Sequence, residues 1–104
     1  MAIPKLNQDV IDYFIKNLDR RKVKIIMALI ELEGQKEEII TKNLIKQKSK
    51  MTEKIVREEI AYLLGALIID YEIVGNAHNY YFTDSGKKIA LVIFKNMNGG
   101  KNNG

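Results

Sequence analysis

Residues 41–60, TKNLIKQKSKMTEKIVREEI, constrain the fold more than any other stretch, because two helix starts stand close together in it. Thr41 and Thr52 each precede a helical apolar pattern, and a threonine hydroxyl accepts from N–H groups that the first helical turn leaves unpaired. After Thr41 the pattern is short, Leu44 and Ile45. After Thr52 it runs through Val56, Ile60, Leu63 and Leu67, one face of a longer helix. Residues 48–51 remain as a tight connection, with Met51 the only apolar side chain available to plug the corner. The spacing predicts helices over 42–48 and 52–67, joined as a helix-turn-helix.

Two further helices are expected upstream. In 7–18, Val10, Phe14 and Leu18 recur at i, i+4, i+8 with Ile11 and Ile15 beside them, and Asn7 stands at the cap position. In 20–33 the stripe is Val23, Ile26, Met27 and Ile30, with Asp19 as cap and Gly34 where a left-handed stop belongs. One bent helix through residue 19 is the alternative. Downstream, IIDYEIV and YYFT are β-branched and aromatic and flank GNAHN, which reads as a hairpin with strands over 69–74 and 80–83 and a five-residue loop. Thr83 caps a last helix over 84–96, and the polar, glycine-rich 97–104 is expected to be disordered. The result is one domain, 1–96, mainly α with a small β-hairpin.

Charge is unevenly placed. Residues 42–57 carry six basic side chains against Glu53 alone, a local +5, while the remainder carries eleven basic and twelve acidic residues, or −1. Concentrated positive charge on an otherwise neutral domain suits a polyanion. A solvated lysine-rich face, as in Lys/Ile-rich thermophile proteins, is the competing reading. With no cysteine, disulfides and thiolate metal sites are excluded. No apolar run reaches the roughly 18 residues of a membrane span, and the N-terminus lacks a secretory pattern, so a cytoplasmic location is expected. No phosphate loop, nucleophile–base set or metal-ligand spacing is visible, so neither an enzyme nor a cofactor is expected. Glu37-Glu38 and Glu58-Glu59 are neighbours that diverge by about 100° on a helix, which does not make an acid–base pair.

The order helix, helix, helix, hairpin, helix resembles a winged helix-turn-helix domain, MarR-like or PadR-like at its two ends. Residues 23–89 carry the resemblance: Thr41, Ile45, Met51, Thr52, Val56, Ile60 and Leu63 hold the helix-turn-helix register. LIIDYEIV resembles the step into the first wing strand, and YYFTDSGKKI the passage from the second strand to the last helix, where the family shows Tyr-x-Leu-Thr-x-x-Gly. Two glycines of the pattern are missing: Lys50 stands in the tight turn and Leu67 at the end of the fourth helix. The first departure implies strain or a wider turn at Lys50; the second suggests that the helix runs directly into the strand.

With Val56, Ile60, Leu63 and Leu67 inward, Lys50, Lys54, Arg57, Ala61 and Gly65 fall outside, with Glu58 beside them. The resemblance implies a transcriptional regulator that places helix 52–67 in the major groove of double-stranded DNA. Lys54 and Arg57, near the start of that helix beside Thr52, are then the candidates for base edges. Lys42, Lys46, Lys48 and Lys50 would hold phosphates. Asn76, His78 and Asn79 are offered by the wing tip, where a lone histidine is otherwise a solvated turn residue. The alternative is a winged-helix module whose basic face meets an acidic protein. In the last helix, residues 89–94 (IALVIF) are apolar on all sides, which predicts a homodimer through Val10, Phe14, Leu18, Ile89, Ile93 and Phe94. The competing arrangement has the first and last helices covering each other within one chain.

Overall fold

The computed structural model describes residues 8–102, and the side chains of residues 12, 13 and 15–96. The order is α1 (Gln8–Asn17), α2 (Arg20–Gly34), α3 (Lys42–Ser49), α4 (Glu53–Gly65), β1 (Ile69–Val74), β2 (Ala77–Phe82) and α5 (Asp84–Asn102). The expected cap Asn7 and the side chains of Val10 and Phe14 lie outside the described residues.

Three helix starts form as their side chains dictate. The Asp19 carboxylate accepts from the Lys22 N–H at 3.0 Å, so α1 and α2 are separate helices rather than one bent one. Thr41 Oγ1 accepts from Leu44 N at 3.2 Å, and Thr52 Oγ1 from Ile55 N at 3.3 Å.

The helix ends differ from expectation. Among the described residues, three with side chains take the left-handed conformation that glycine usually fills: Lys36 (φ 58°), Lys50 (φ 58°) and Leu67 (φ 61°). Gly34 is simply the last residue of α2, and the reversal falls at Lys36, where Lys36 N bonds Glu33 O and Glu37 N bonds Leu32 O. The same paired bonds close α4: Leu67 N to Leu64 O and Ile68 N to Leu63 O. Leu67 therefore leaves the helical stripe and is 64% exposed, while Ile68 takes the core position. The helix does not run directly into the strand. Lys50 adopts the strained alternative, its N–H bonded to Lys46 O.

The core is continuous from α2 to α5. Ile25, Ile26, Leu29 and Leu32 of α2 meet Ile45 of α3, Val56, Ile60 and Leu63 of α4, Ile68, Ile69, Tyr80 and Phe82 of the hairpin region, and Ile89 and Ile93 of α5. Val23, Met27 and Ile30, expected to lead the α2 stripe, pack at its edge. Leu18 is also only partly buried against this core. Ile89 and Ile93 were expected in a seam between two chains; they are buried in the core of one chain instead. Leu91 and Phe94 remain exposed, so the run is covered on one side rather than all round.

β1 and β2 pair antiparallel from Ile69↔Phe82 to Val74↔Ala77, leaving Gly75-Asn76 as a two-residue turn. Gly75 has φ 63°, which a first turn residue in a tight hairpin requires. The expected five-residue loop is thus too long, and His78 and Asn79 belong to β2. Ile40 adds a third contact, accepting from Tyr80 N at 2.9 Å and donating to the Asn79 amide oxygen at 2.8 Å. α5 continues to Asn102, beyond the expected end at 96. Nothing in Met97-Asn98 stops a helix, since there is no proline, and glycine costs about 1 kcal/mol without blocking one.

Candidate nucleic-acid interface

Burying Val56, Ile60 and Leu63 sets the inward side of α4 and leaves Lys54, Arg57, Glu58 and Ala61 exposed to solvent. A cleft lined by Lys42, Asn43, Lys46, Glu53 and Val56 separates the first turn of α4 from α3. A second cleft, lined by Thr41, Lys42, Asn43, Asn76, Ala77, His78 and Tyr80, runs from α3 to the hairpin. Lys42 and Asn43 line both, so one surface joins α4, α3 and the wing. Lys42, Lys46, Asn76 and His78 lie along it, with Lys54 and Arg57 exposed on the adjoining helix.

Other expected residues are engaged elsewhere. Lys48 turns toward α2, its Nζ 3.7 Å from the Glu31 carboxylate, and lines a groove with Arg20 and Lys24. Lys50 sits at the exposed corner between α3 and α4. The Thr52 hydroxyl is occupied as a cap. Asn79 is scaffold: its amide oxygen accepts from Ile40 and its nitrogen donates to Glu72 at 3.2 Å. The His78 ring stacks on Tyr71 at 4.4 Å, and burial raises the neighbouring Tyr80 phenol above its ordinary value, helped by Tyr71. Asn43 escaped the sequence reading; its position three residues before Lys46, on the same side of α3, was the available signal.

Behind α4 lies a charged contact that the sequence also hid. Glu59 is buried, and Lys22 Nζ of α2 reaches its carboxylate at 2.9 Å. The same ammonium contacts Asp19 at 3.2 Å and lies 4.4 Å from the centre of the Tyr62 ring. Burial works against the charge on Lys22, but hydrogen bonds to Glu59 and Asp19 outweigh it and raise its pKa above 10.5. The Lys22 backbone N–H, opposed by partial desolvation and aided by its ammonium, holds the Asp19 carboxyl below its ordinary value. Among the described residues no group of three or more His, Cys, Asp or Glu side chains could hold a metal ion. None of their helices is long and apolar enough to cross a membrane.

A three-helix core carrying a helix-turn-helix and followed by a hairpin and a closing helix is the winged helix-turn-helix fold. Helices α1 and α5 flank this arrangement at its two ends. No protein-family model matches the chain, and no curated protein matches it. Solved structures do. MepR of Staphylococcus aureus, a transcription regulator of the multidrug efflux pump MepA, superposes with a TM-score of 0.72 at 14% identity, covering 88% of this chain and 67% of that one. TubR from Bacillus thuringiensis serovar israelensis, bound to 24 bp of tubC, gives 0.71 at 19% identity, covering 90% and 99%. A mutant of the type III plasmid segregation protein TubR gives 0.71 at 24% identity, covering 92% and 97%. Likeness at this identity is likeness of fold.

Proposed function

We propose that the chain is a sequence-specific double-stranded DNA-binding protein, a transcriptional regulator that lays α4 in the major groove. The observation that carries this reading is one surface joining the exposed Lys54 and Arg57 of α4, the half-buried Lys42 and Lys46 of α3, and the exposed wing residues Asn76 and His78. An α-helix fits the major groove, and residues near its start reach base edges. Arg57 is the base reader, since arginine bidentate to guanine is the commonest specific pairing. Lys42 and Lys46 hold phosphates and set register. The solved TubR carries DNA and MepR is a transcription regulator, which supports the same reading here.

The protein acts as a homodimer. Leu91 and Phe94 are apolar and exposed on α5, where they can meet a second copy; Ile89 and Ile93 are spent on the chain's own core. A two-fold pair would read half-sites roughly 34–36 Å apart on a palindrome. Titration of labelled duplex against salt tests the reading. A dimer making roughly 6–10 phosphate contacts loses about 10³–10⁵ in affinity between 50 and 200 mM salt. Absence of binding at 50 mM salt would remove DNA as the partner and leave an acidic protein in its place.

A further inference from the structure

The DNA-facing side of α4 is defined by rotation of the helix about its axis, and burial of Val56, Ile60 and Leu63 sets which side that is. Val56, Ile60 and Leu63 are aliphatic, and aliphatic contact is non-directional. Glu59 is different. It is the buried charge among the described residues, and it reaches inward to one partner, Lys22 of α2, at 2.9 Å. Tyr62, one turn further along α4, takes the same ammonium over its ring at 4.4 Å. Two residues of α4 therefore grip one cation whose position is fixed from the other side by Asp19, the cap of α2.

Arg57 precedes Glu59 by two residues, which on a helix is a turn of about 200°. Fixing Glu59 inward therefore aims Arg57 outward. A buried ion pair is weak evidence for stability, since apolar residues of similar volume commonly do as well in its place. Its geometry is specific where that of a leucine is not.

We propose that Lys22 is a positioning residue for DNA recognition, acting through the Lys22–Glu59 ion pair to set the rotation of α4. The inference deepens the DNA-binding reading and rests on it for its consequence, but the rotation itself is measurable without DNA. Lys22 touches no base in this scheme. It decides whether Arg57 meets a base edge or only a phosphate. Loss of the pair therefore lowers selectivity more than it lowers non-specific affinity.

The test uses Lys22→Met/Glu59→Met, which removes both charges together and so avoids stranding one of them in the interior. The chain has no native cysteine, so spin labels placed through Glu58→Cys on α4 and Lys88→Cys on α5, both exposed, report one distance. In the parent protein we expect this distance to be single and narrow. In the double variant we expect it to broaden or to move by about 3 Å, the arc of a 30° rotation at the helix surface, with the melting temperature retained. An unchanged distance distribution in the folded double variant would overturn the proposal. With duplexes selected on the parent protein, the ratio of selected to random affinity should fall about tenfold, the scale of one lost base contact, and random affinity should stay within about twofold. An unchanged ratio would overturn it as well. Lys22→Arg, which keeps the charge, should retain both distance and ratio. If the parent binds no duplex at all, the DNA reading falls while the distance measurement still decides the rotation.

Discussion

Gly86→Ala should destabilise the fold by about 2–4 kcal/mol, although it adds one methyl group near the start of a helix. Gly86 lies where α5 approaches the backbone at the end of the α4–β1 turn. A β-carbon there would stand 1.8 Å from the Ile68 carbonyl oxygen and 2.8 Å from its carbon. Normal contact needs roughly 3.5 Å, so the first turn of α5 must retreat by about 1.7 Å. That retreat pulls on a compact hydrogen-bond set: Thr83 Oγ1 donating to Leu67 O at 2.6 Å, Thr83 N to Ile68 O at 3.1 Å, and Gly86 N to Thr83 Oγ1 at 2.9 Å. Losing two of these costs about 1 kcal/mol each, and overpacking adds about 1–3. The better helix propensity of alanine returns about 1. Gly65→Ala is the control, because a β-carbon at Gly65 meets nothing within 4 Å; it should stabilise by about 0.5–1 kcal/mol. Urea unfolding of the three proteins reads both differences. A Gly86→Ala variant within about 0.5 kcal/mol of the parent would refute this account of the Thr-x-x-Gly step.

The left-handed helix ends predict a gain from the opposite substitution. Leu67→Gly removes a strained φ from an exposed residue and should stabilise by about 0.5–1 kcal/mol, visible as a rise in melting temperature of a few degrees. Stability should depend on pH at both extremes. The depressed Asp19 carboxyl contributes fully above its unfolded value of about 3.9, and that contribution is lost as pH falls through its lower folded value. The raised Lys22 ammonium contributes fully below about 10.5 and loses that contribution as pH rises through its folded value, so Asp19→Asn should flatten the acid limb of melting temperature against pH and leave most of the alkaline limb. Arg57→Ala should weaken a selected duplex by about 1–3 kcal/mol in a binding titration. Lys48→Ala, whose ammonium is turned toward Glu31, should change affinity much less.

What the sequence revealed was mostly local. Thr41, Thr52 and Asp19 act on N–H groups three residues away, so their caps were readable without tertiary knowledge. The helix ends were obscured because the residues that reverse the chain are Lys36, Lys50 and Leu67, which give no glycine signal. That also misplaced Leu67, since a periodic stripe continues on paper past the point where the backbone turns and hands the core to Ile68. Ala77, His78 and Asn79 have weak strand preference, and their pairing is imposed by the tight Gly75-Asn76 turn and by the Ile40 contact. The IALVIF run showed apolar character but not direction, so Ile89 and Ile93 could not be told apart from Leu91 and Phe94. Of the basic residues, spacing identified those on the outer face of α4, but Lys48 was lost to Glu31 and Asn79 to Ile40, both contacts made through the fold. Lys22 and Glu59 meet across two helices, and no local pattern announces them.

Backbone amide chemical shifts of the labelled protein, followed during titration with a short duplex, test the central claim most directly. The account predicts saturable shifts at Lys54, Arg57 and Ala61 of α4, with smaller ones at Lys42, Asn43 and Lys46 and at the Gly75-Asn76 turn, and little change around Arg20 and Lys24. Shifts concentrated on the α1–α2 side with α4 unmoved, or no saturable change at low salt, would contradict it.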